Sequence, residues 1–424
     1  MHSQAVLIAA ASGRALAASA RRAGYRPLVI DYFADQDTIA SAQAHVRLAS
    51  GLDRGMQAQE VMAALKTLSE QYDACGVVWG SGFEDRPSLL QQIAQTWKVI
   101  GNGPDFVEHV KHPMLVAKLC RSCDVHYPET RLDPPDAGTG WLIKRIGGAG
   151  GTHIRDAAFL PPPGGERACP GLDLGSTAEG GRVEVAALER RLTDMLFTPP
   201  RRAPRADPPP RGEGEPAFYY QRRVAGEPIS ALVLADGKAA AVLGFSRQWS
   251  SPGPGNPFRY GGAVRPATLA PEIADALTAV VQRLTALTGL VGLNSFDFLV
   301  DDRTFHLLEI NPRPGATIDI FEPPGTASLF ALHVDASRGG LPDRALVLDG
   351  AAASAIVYAA ADIPQLPSFD WPDWSADRPI AGSFISAQSP LCTVLARAAT
   401  AAQAQELVEE RAQAILARSR ARPS

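Results

Sequence analysis

The fold class predicted for this chain is a parallel α/β unit followed by an antiparallel α+β unit, and three observations predict it. Strand and helix patterns alternate through the first hundred residues, whereas strands joined by short turns dominate from Ala217 to Ile310. Between the two, residues 160–215 become rich in Pro, Gly and Arg. That stretch carries too few apolar side chains to offset the entropy of ordering it, so it reads as a surface insertion. With 424 residues the chain has room for about three domains at ~150 residues each.

In chain order, residues 5–10, 27–30 and 76–79 read as short buried strands, the first leading through a turn into a helix that ends near Gly24. Each strand runs into a polar or Gly-containing turn, which implies a Rossmann-like parallel sheet with crossover helices over residues 1–105. Only Gly13 stands near the first turn, so the G-x-G-x-x-G dinucleotide fingerprint is missing and a nicotinamide cofactor loses its main support. Gly80, Ser81, Gly82 and Phe83 follow another strand and read either as the lining of a ligand crevice or as a plain turn. The central unit, residues 106–340, includes the insertion at about 160–216 and within it a short amphipathic helix at 183–196. The arginines of that insertion read as a solvated loop. Strands are expected at Phe218–Arg222, 229–234, 239–245, 295–300 and 304–310, with a helix at Pro271–Thr288. A small carboxy-terminal unit, residues 341–424, closes with a helix at 400–418.

Composition excludes several classes. The chain carries 41 basic and 45 acidic residues for a formal net charge of -4, too little to draw the whole molecule onto nucleic acid or an anionic membrane, so neither is expected as a partner. Anionic ligands must be held locally. Five cysteines are not the dense even set of a disulfide-stapled domain. Cys120 and Cys123 form a C-x-x-C with no second pair at zinc spacing, and read as small buried side chains on a helix. The Ala-rich start has no basic n-region and is broken by Ser12, Gly13 and Arg14, so it reads as strand and turn, not as a signal peptide. Nothing approaches the apolar length of a membrane span, and the expected location is cytoplasmic.

Chemistry concentrates in residues 294–313, N-S-F-D-F-L-V-D-D-R-T-F-H-L-L-E-I-N-P-R. Asp297 and Glu309 fall on two expected strands joined by a turn around Asp301 to Arg303, so hairpin pairing can set their carboxylates side by side. Asn311 lies two residues beyond Glu309, on the same face of an extended chain. Three oxygen donors then converge, a set suited to magnesium, which keeps waters and shares its coordination with phosphates. Leu307, Leu308 and Ile310 make the strand look buried, and a buried carboxylate needs a cation or a donor.

This E-I-N-P-R run, with an acidic residue twelve positions before its Glu, resembles the metal-binding core of the ATP-grasp superfamily, and other features follow in that superfamily's order. Lys144 ends an expected strand at 141–144 and precedes Gly147, Gly148, Gly150 and Gly151. The resemblance makes these the lysine and glycine loop that close over phosphates, where glycine allows close backbone approach and the ammonium acts as a point charge. Lys111, read as opening a helix that leads into V-H-Y-P-E-T, is placed by the resemblance as the first phosphate lysine, with Lys118 its competitor. The run Y-Y-Q-R-R-V-A-G-E resembles the hinge of the grasp, so Gln221, Arg222 and Val224 would meet adenine and Glu227 the ribose. Two departures stand out. Gln221 replaces a usual Glu, and no basic residue precedes Asp297, so the acyl-phosphate clamp falls to Arg313, or else to Arg265 or Arg259; Arg313 is the first choice because guanidinium grips carboxylate and phosphate bidentately. Near the end, P-D-W-S-A-D-R-P-I-A-G and S-P-L-C-T-V-L-A resemble the closing domain of carboxylase-like members, with Cys392 read as packing.

The resemblance implies an ATP-dependent carboxylate-amine ligase using ATP and Mg2+ or Mn2+. The substrate carboxylate attacks the terminal phosphate, and an amine then displaces phosphate from the acyl phosphate. Lys144, Arg313 and Arg265 are the expected catalytic group; Asp297, Glu309 and Asn311 hold the metal. The run Tyr260, Gly261, Gly262 with N-P-R-P-G-A-T-I-D-I-F-E resembles ligases that attach glutamate to tyramine-like amines in methylofuran or tetrahydromethanopterin-type cofactor biosynthesis. Carboxylase-like chemistry, phosphotransfer and non-catalytic nucleotide binding are the alternatives. The sequence leaves the oligomeric state open, with a homodimer among the outcomes.

Overall fold

The computed structural model describes residues 4–159, 218–343, 346–368 and 370–420. The insertion and its expected helix at 183–196 lie outside the described residues. The amino-terminal sheet has strands β1 (Ala5–Ala9), β2 (Arg26–Asp31), β3 (Ala44–Arg47) and β4 (Ala74–Trp79), all parallel, in the order β3-β2-β1-β4. β1 is apolar throughout because both its faces are covered. Val6 and Ile8 face helix α1 (Arg14–Arg22), while Ala5, Leu7 and Ala9 join the core under α4 (Ala58–Gln71) and α5 (Pro87–Thr96). Short helices α2 (Gln36–Ser41) and α3 (Gly51–Arg54) fill the connections. Gly13 has a packing role: a Cβ there would fall 2.4 Å from Val29 Cγ1, and its N–H donates to Asp31 Oδ2 at 3.0 Å.

Helices α6 (Pro104–Lys111) and α7 (Pro113–Ser122), separated by His112 alone, lead into a small antiparallel sheet of β5 (Thr130–Arg131), β6 (Trp141–Arg145), β7 (Ile154–Asp156) and β8 (Phe218–Arg222), in the order β5-β8-β6-β7. Its core is slight, with Trp141, Ile143, Ala157 and Tyr220 as its buried residues. The main sheet follows: β9 (Glu227–Asp236), β10 (Ala240–Ser250), β11 (Tyr260–Arg265), β12 (Val291–Val300), β13 (Phe305–Asn311), β14 (Ala351–Tyr358), β15 (Ser375–Ala376) and β16 (Pro390–Ala398), in the order β13-β12-β9-β10-β11-β14-β16-β15. β9 alternates with period two. Ile229, Ala231, Val233 and Ala235 face α7 and α8 (Pro271–Thr288), and Leu232 and Leu234 face the amino-terminal unit. Helix α8 buries Leu277, Val280, Val281 and Leu284 at i, i+3, i+4 and i+7, starts on Pro271 and stops at Gly289, whose φ of 72° is the left-handed cap a side chain would resist.

The carboxy-terminal segment has its own core beneath α11 (Ala401–Arg420), yet its strands extend the main sheet through β11–β14 pairing. Short helices α9 (Ile318–Phe321) and α10 (Leu329–Ala336) fill the space between the main sheet and α1. Polar staples set the units against one another. Arg14 is bidentate to Asp319 at 2.5 and 2.7 Å and also reaches Asp377 at 3.0 Å. Asn102 Nδ2 donates to Val291 O, Asn294 Oδ1 and Pro312 O, while its Oδ1 accepts from Val291 N. The His333 Nδ1 accepts from Leu293 N at 2.9 Å and the Nε2 side bonds Ile100 O at 3.0 Å, which requires the neutral ring protonated on Nε2.

Burial, offset in part by the bond to Ile100, lowers His333 from 6.5 to about 4. The unfolded chain therefore takes up a proton below about pH 6.5 that the native protein refuses, so stability falls as pH drops from 6.5 toward 4. Between pH 6.5 and 5 this residue alone is expected to remove on the order of 2 kcal/mol. In urea titrations, His333→Gln lowers stability at pH 7 and flattens the pH dependence in that window; an unchanged slope refutes the assignment.

Candidate active site

The β12–β13 hairpin places Asp297 directly opposite Glu309 and Ser295 opposite Asn311. The turn closes on Asp301, whose Oδ1 accepts from the N–H groups of Arg303 and Thr304 at 2.9 and 2.8 Å. The three oxygen-bearing side chains gather: Asn311 Nδ2 donates to Asp297 Oδ2 at 2.8 Å, and Ser230 Oγ on β9 donates to Asp297 Oδ1 at 2.6 Å. Lys111, the last residue of α6, sends Nζ to Glu309 Oε1 and to Asn311 Oδ1 at 2.6 Å. Of the two candidate lysines, Lys111 is the one in contact with the trio; Lys118 lies farther along, on α7.

Electrostatics match this crowding. Burial, reinforced by the neighbouring charge of Glu309, pushes Asp297 up to about 6. Burial acts on Glu309 in the same direction, but Lys111, His153 and Lys144 together outweigh it and hold the carboxyl below its ordinary range. Glu309 keeps 33% of its side chain open to the cleft. Two carboxylates and an amide oxygen, one carboxyl in need of compensating positive charge, form a hard donor set that fits magnesium. Among the described residues no group of three or more His, Cys, Asp or Glu side chains is placed to hold a metal ion; the third oxygen beside Asp297 and Glu309 is the amide of Asn311.

Lys144 on β6 projects from the small sheet, with Nζ donating to Gln221 Oε1 at 2.6 Å. Burial lowers its ammonium to about 8, against an opposing pull from Glu309. The glycine loop connects β6 to β7 and is docked at both ends. A Cβ on Gly147 (φ 73°) would fall 2.4 Å from Glu84 O, and one on Gly151 (φ 75°) 1.9 Å from Phe258 O. The Gly150 carbonyl accepts from Tyr260 N at 3.0 Å. Beneath Gly148 lies the ring of His153, where a Cβ would come within 2.2 Å of it. Arg222 ends β8, Val224 lies in the link to β9, and Glu227 opens β9 with its carboxylate 3.3 Å from Arg247. Gln221 is buried at the cleft floor; Arg222 is exposed and stacks over Trp141 at 5.6 Å.

The three candidate arginines separate clearly. Arg313 is buried, with Nε bonded to Glu84 Oε1 at 2.7 Å, and its positive charge is among those that oppose the rise of Asp297. Arg265 does not join them: its Nε donates to Ile320 O and Nη1 to Gly350 O at 3.0 Å, ties that bind β11 to α9 and the carboxy-terminal segment. Arg259 likewise gives its donors to Ser251 O and Gln388 and lies over the Tyr358 ring at 3.6 Å. Both were expected from their charge, but their hydrogen bonds are already committed elsewhere. Sequence reading missed Glu84 and His153. Glu84 follows the Gly80–Phe83 turn; its Oε2 accepts from Gly82 N and Phe83 N at 2.8 and 3.0 Å, so that turn aims a carboxylate at Arg313. His153 follows Gly151 by two residues, and that adjacency was the available signal.

Residues 210–317 match the family model of the ATP-grasp domain. No curated protein matches the chain in sequence. Among solved structures, the biotin carboxylase domain of the Hydrogenobacter thermophilus 2-oxoglutarate carboxylase, in complex with MgADP, ADP and bicarbonate, superposes with a TM-score of 0.68 at 13% identity, covering 97% of this chain and 89% of that one. L-amino acid ligase from Bacillus licheniformis gives 0.64 at 13% identity, covering 97% of both. N5-carboxyaminoimidazole synthetase from Staphylococcus aureus, complexed with ADP, gives 0.61 at 12%, covering 96% and 97%. The chain has the ATP-grasp fold and carries an ATP-grasp domain. Among the described residues no helix is long and apolar enough to cross a membrane.

Lys144 carries a stability consequence. Its folded ammonium titrates near 8 against 10.5 when exposed. The destabilisation is complete below pH 8 and fades as pH rises toward 10.5. Lys144→Met is expected to stabilise the ligand-free protein at pH 7 by on the order of 3 kcal/mol, with the gain vanishing near pH 10.5. Urea unfolding at the two pH values checks it, and a destabilised variant at pH 7 refutes it.

Proposed function

We propose that the protein is an ATP-dependent ligase that activates a carboxylate as an acyl phosphate and transfers it to an amine. The observation that carries this reading is the meeting of Asp297, Glu309 and Asn311 with the ammonium of Lys111 in one cleft, faced by Lys144 and a docked glycine loop. Asp297, Glu309 and Asn311 would hold the magnesium, which when bound neutralises charge on the ATP phosphates. Lys111 and Lys144 supply two further positive charges along the path of the phosphates, and the N–H groups around Gly147, Gly148, Gly150 and Gly151 close over them. The segment containing Gln221, Arg222 and Val224 would present backbone groups to adenine, with Glu227 toward the ribose.

Arg313, with Nε held by Glu84, is oriented to grip the substrate carboxylate beside the terminal phosphate. The carboxylate oxygen attacks that phosphorus, ADP leaves, and the amine nitrogen then attacks the acyl carbon and expels phosphate. No side-chain nucleophile is required, in keeping with Cys392 being buried in the carboxy-terminal core. The fold neighbours include both a ligase and carboxylases, so the amine acceptor is a proposal drawn from the site chemistry and the sequence resemblance. Glutamate with tyramine-like amines, as in methylofuran-type cofactor biosynthesis, is the proposed first pair to assay. By the same reading the enzyme works in the cytoplasm, and Mn2+ can replace Mg2+.

A screen of carboxylates and amines for dependent ADP release tests the reading. With an active acid, hydroxylamine is expected to trap a hydroxamate, and ADP release without hydroxamate points to phosphotransfer instead. Glu309→Gln is expected to lower turnover by at least a thousandfold, corresponding to about 4 kcal/mol of transition-state stabilisation, with the fold intact by circular dichroism. An active Glu309→Gln variant refutes the metal assignment.

A further inference from the structure

We infer that Lys111 occupies the cation site of the nucleotide-free protein, so that a divalent metal gains the site when nucleotide phosphates draw that ammonium away. The inference rests on the assignment of Asp297, Glu309 and Asn311 as the metal donors. Lys111 Nζ does not merely lie near them. It contacts Glu309 Oε1 and Asn311 Oδ1, two of the three donor atoms, and only 4% of its side chain remains exposed. Asn311 points its oxygen at the ammonium and its Nδ2 at Asp297, which in turn takes Ser230, so a single positive charge organises all three donors.

A magnesium bonded to the Glu309 carboxylate and the single amide oxygen of Asn311 at the ~2.1 Å its coordination demands would share that amide oxygen with the ammonium, and the same carboxylate, bringing two cations close together. One must leave. Lys111 sits where α6 ends, two residues before Pro113 opens α7, on a four-carbon stem that can swing without moving the hairpin. Incoming phosphates offer that ammonium new oxygen partners, and its departure opens Glu309 and Asn311 to the metal. Lys111 thus keeps the half-buried carboxylates compensated before substrate arrives and couples metal entry to nucleotide entry.

Manganese titration of the full-length protein without nucleotide, with free Mn2+ read by electron paramagnetic resonance, tests this. Lys111→Met is expected to bind one Mn2+ at least tenfold more tightly than the parent protein, with Lys111→Gln as a second uncharged variant should the first fold poorly. Adding Glu309→Gln to either is expected to erase the gain. Parent and uncharged variants of equal Mn2+ affinity, with ADP-dependent Mn2+ uptake that Glu309→Gln abolishes, would overturn the competitor role and leave the metal donors standing. Mn2+ uptake with ADP that Glu309→Gln leaves untouched would overturn the donor assignment itself, and this inference with it.

Discussion

Everything in the cleft depends on the register of one hairpin. Because β12 and β13 pair Asp297 with Glu309, two carboxylates stand directly opposite each other on neighbouring strands, and the register shifts just after Asp297. A slip of one residue would send Glu309 to the opposite face and bring Leu308 or Ile310 into the cleft. The register is held from both sides. Phe296, Phe298, Leu307 and Ile310 are locked into the core under α8, and β9 pairs along the whole of β12, setting Ser230 against Asp297. The energy that keeps two acidic groups together therefore comes from apolar burial behind them.

Such an arrangement creates an electrostatic demand that the rest of the fold answers. Lys111 arrives from α6, Lys144 from the small sheet, and Arg313 from the segment just past β13, each from a different element. Arg313 is itself restrained by Glu84, a buried carboxylate whose charge is retained because Arg313 and Lys111 outweigh the cost of burial. A buried pair of this kind contributes little net stability, since desolvation offsets most of the attraction, and its value lies in direction. It connects the amino-terminal unit to the strand that carries Glu309 and Asn311.

The small sheet is built differently. Its core is a handful of side chains, and its ties to the rest of the molecule include the glycine loop, the Arg145–Asp85 ion pair at 3.4 Å and the 223–226 link. Weak internal packing joined to a docked loop is the construction expected of a part that must admit and enclose a ligand. The eight-stranded sheet, by contrast, is continuous from the β12–β13 hairpin to the carboxy-terminal strands, so the site stands on a broad hydrogen-bonded platform.

Much of this was legible in the sequence because it is local. Period-two alternation and a short turn determined that Asp297, Glu309 and Asn311 share one face; the 3.6-residue spacing from Leu277 to Leu284 determined α8; alternating apolar runs determined the parallel sheet. What tertiary structure alone decided are the long-range choices. The 11-residue span of β10 and the strand at Tyr260–Arg265 were obscured by Gly, Ser and Arg in their pattern, and the extension of the main sheet by β14 to β16 depends on pairing across 85 residues or more. Chain order likewise could not distinguish Arg313 from Arg265 and Arg259, or reveal that Glu84 meets the first of them. Those outcomes turn on which carbonyl or carboxylate each guanidinium encounters in space, and a linear pattern records the charge of a side chain but not the partner that claims it.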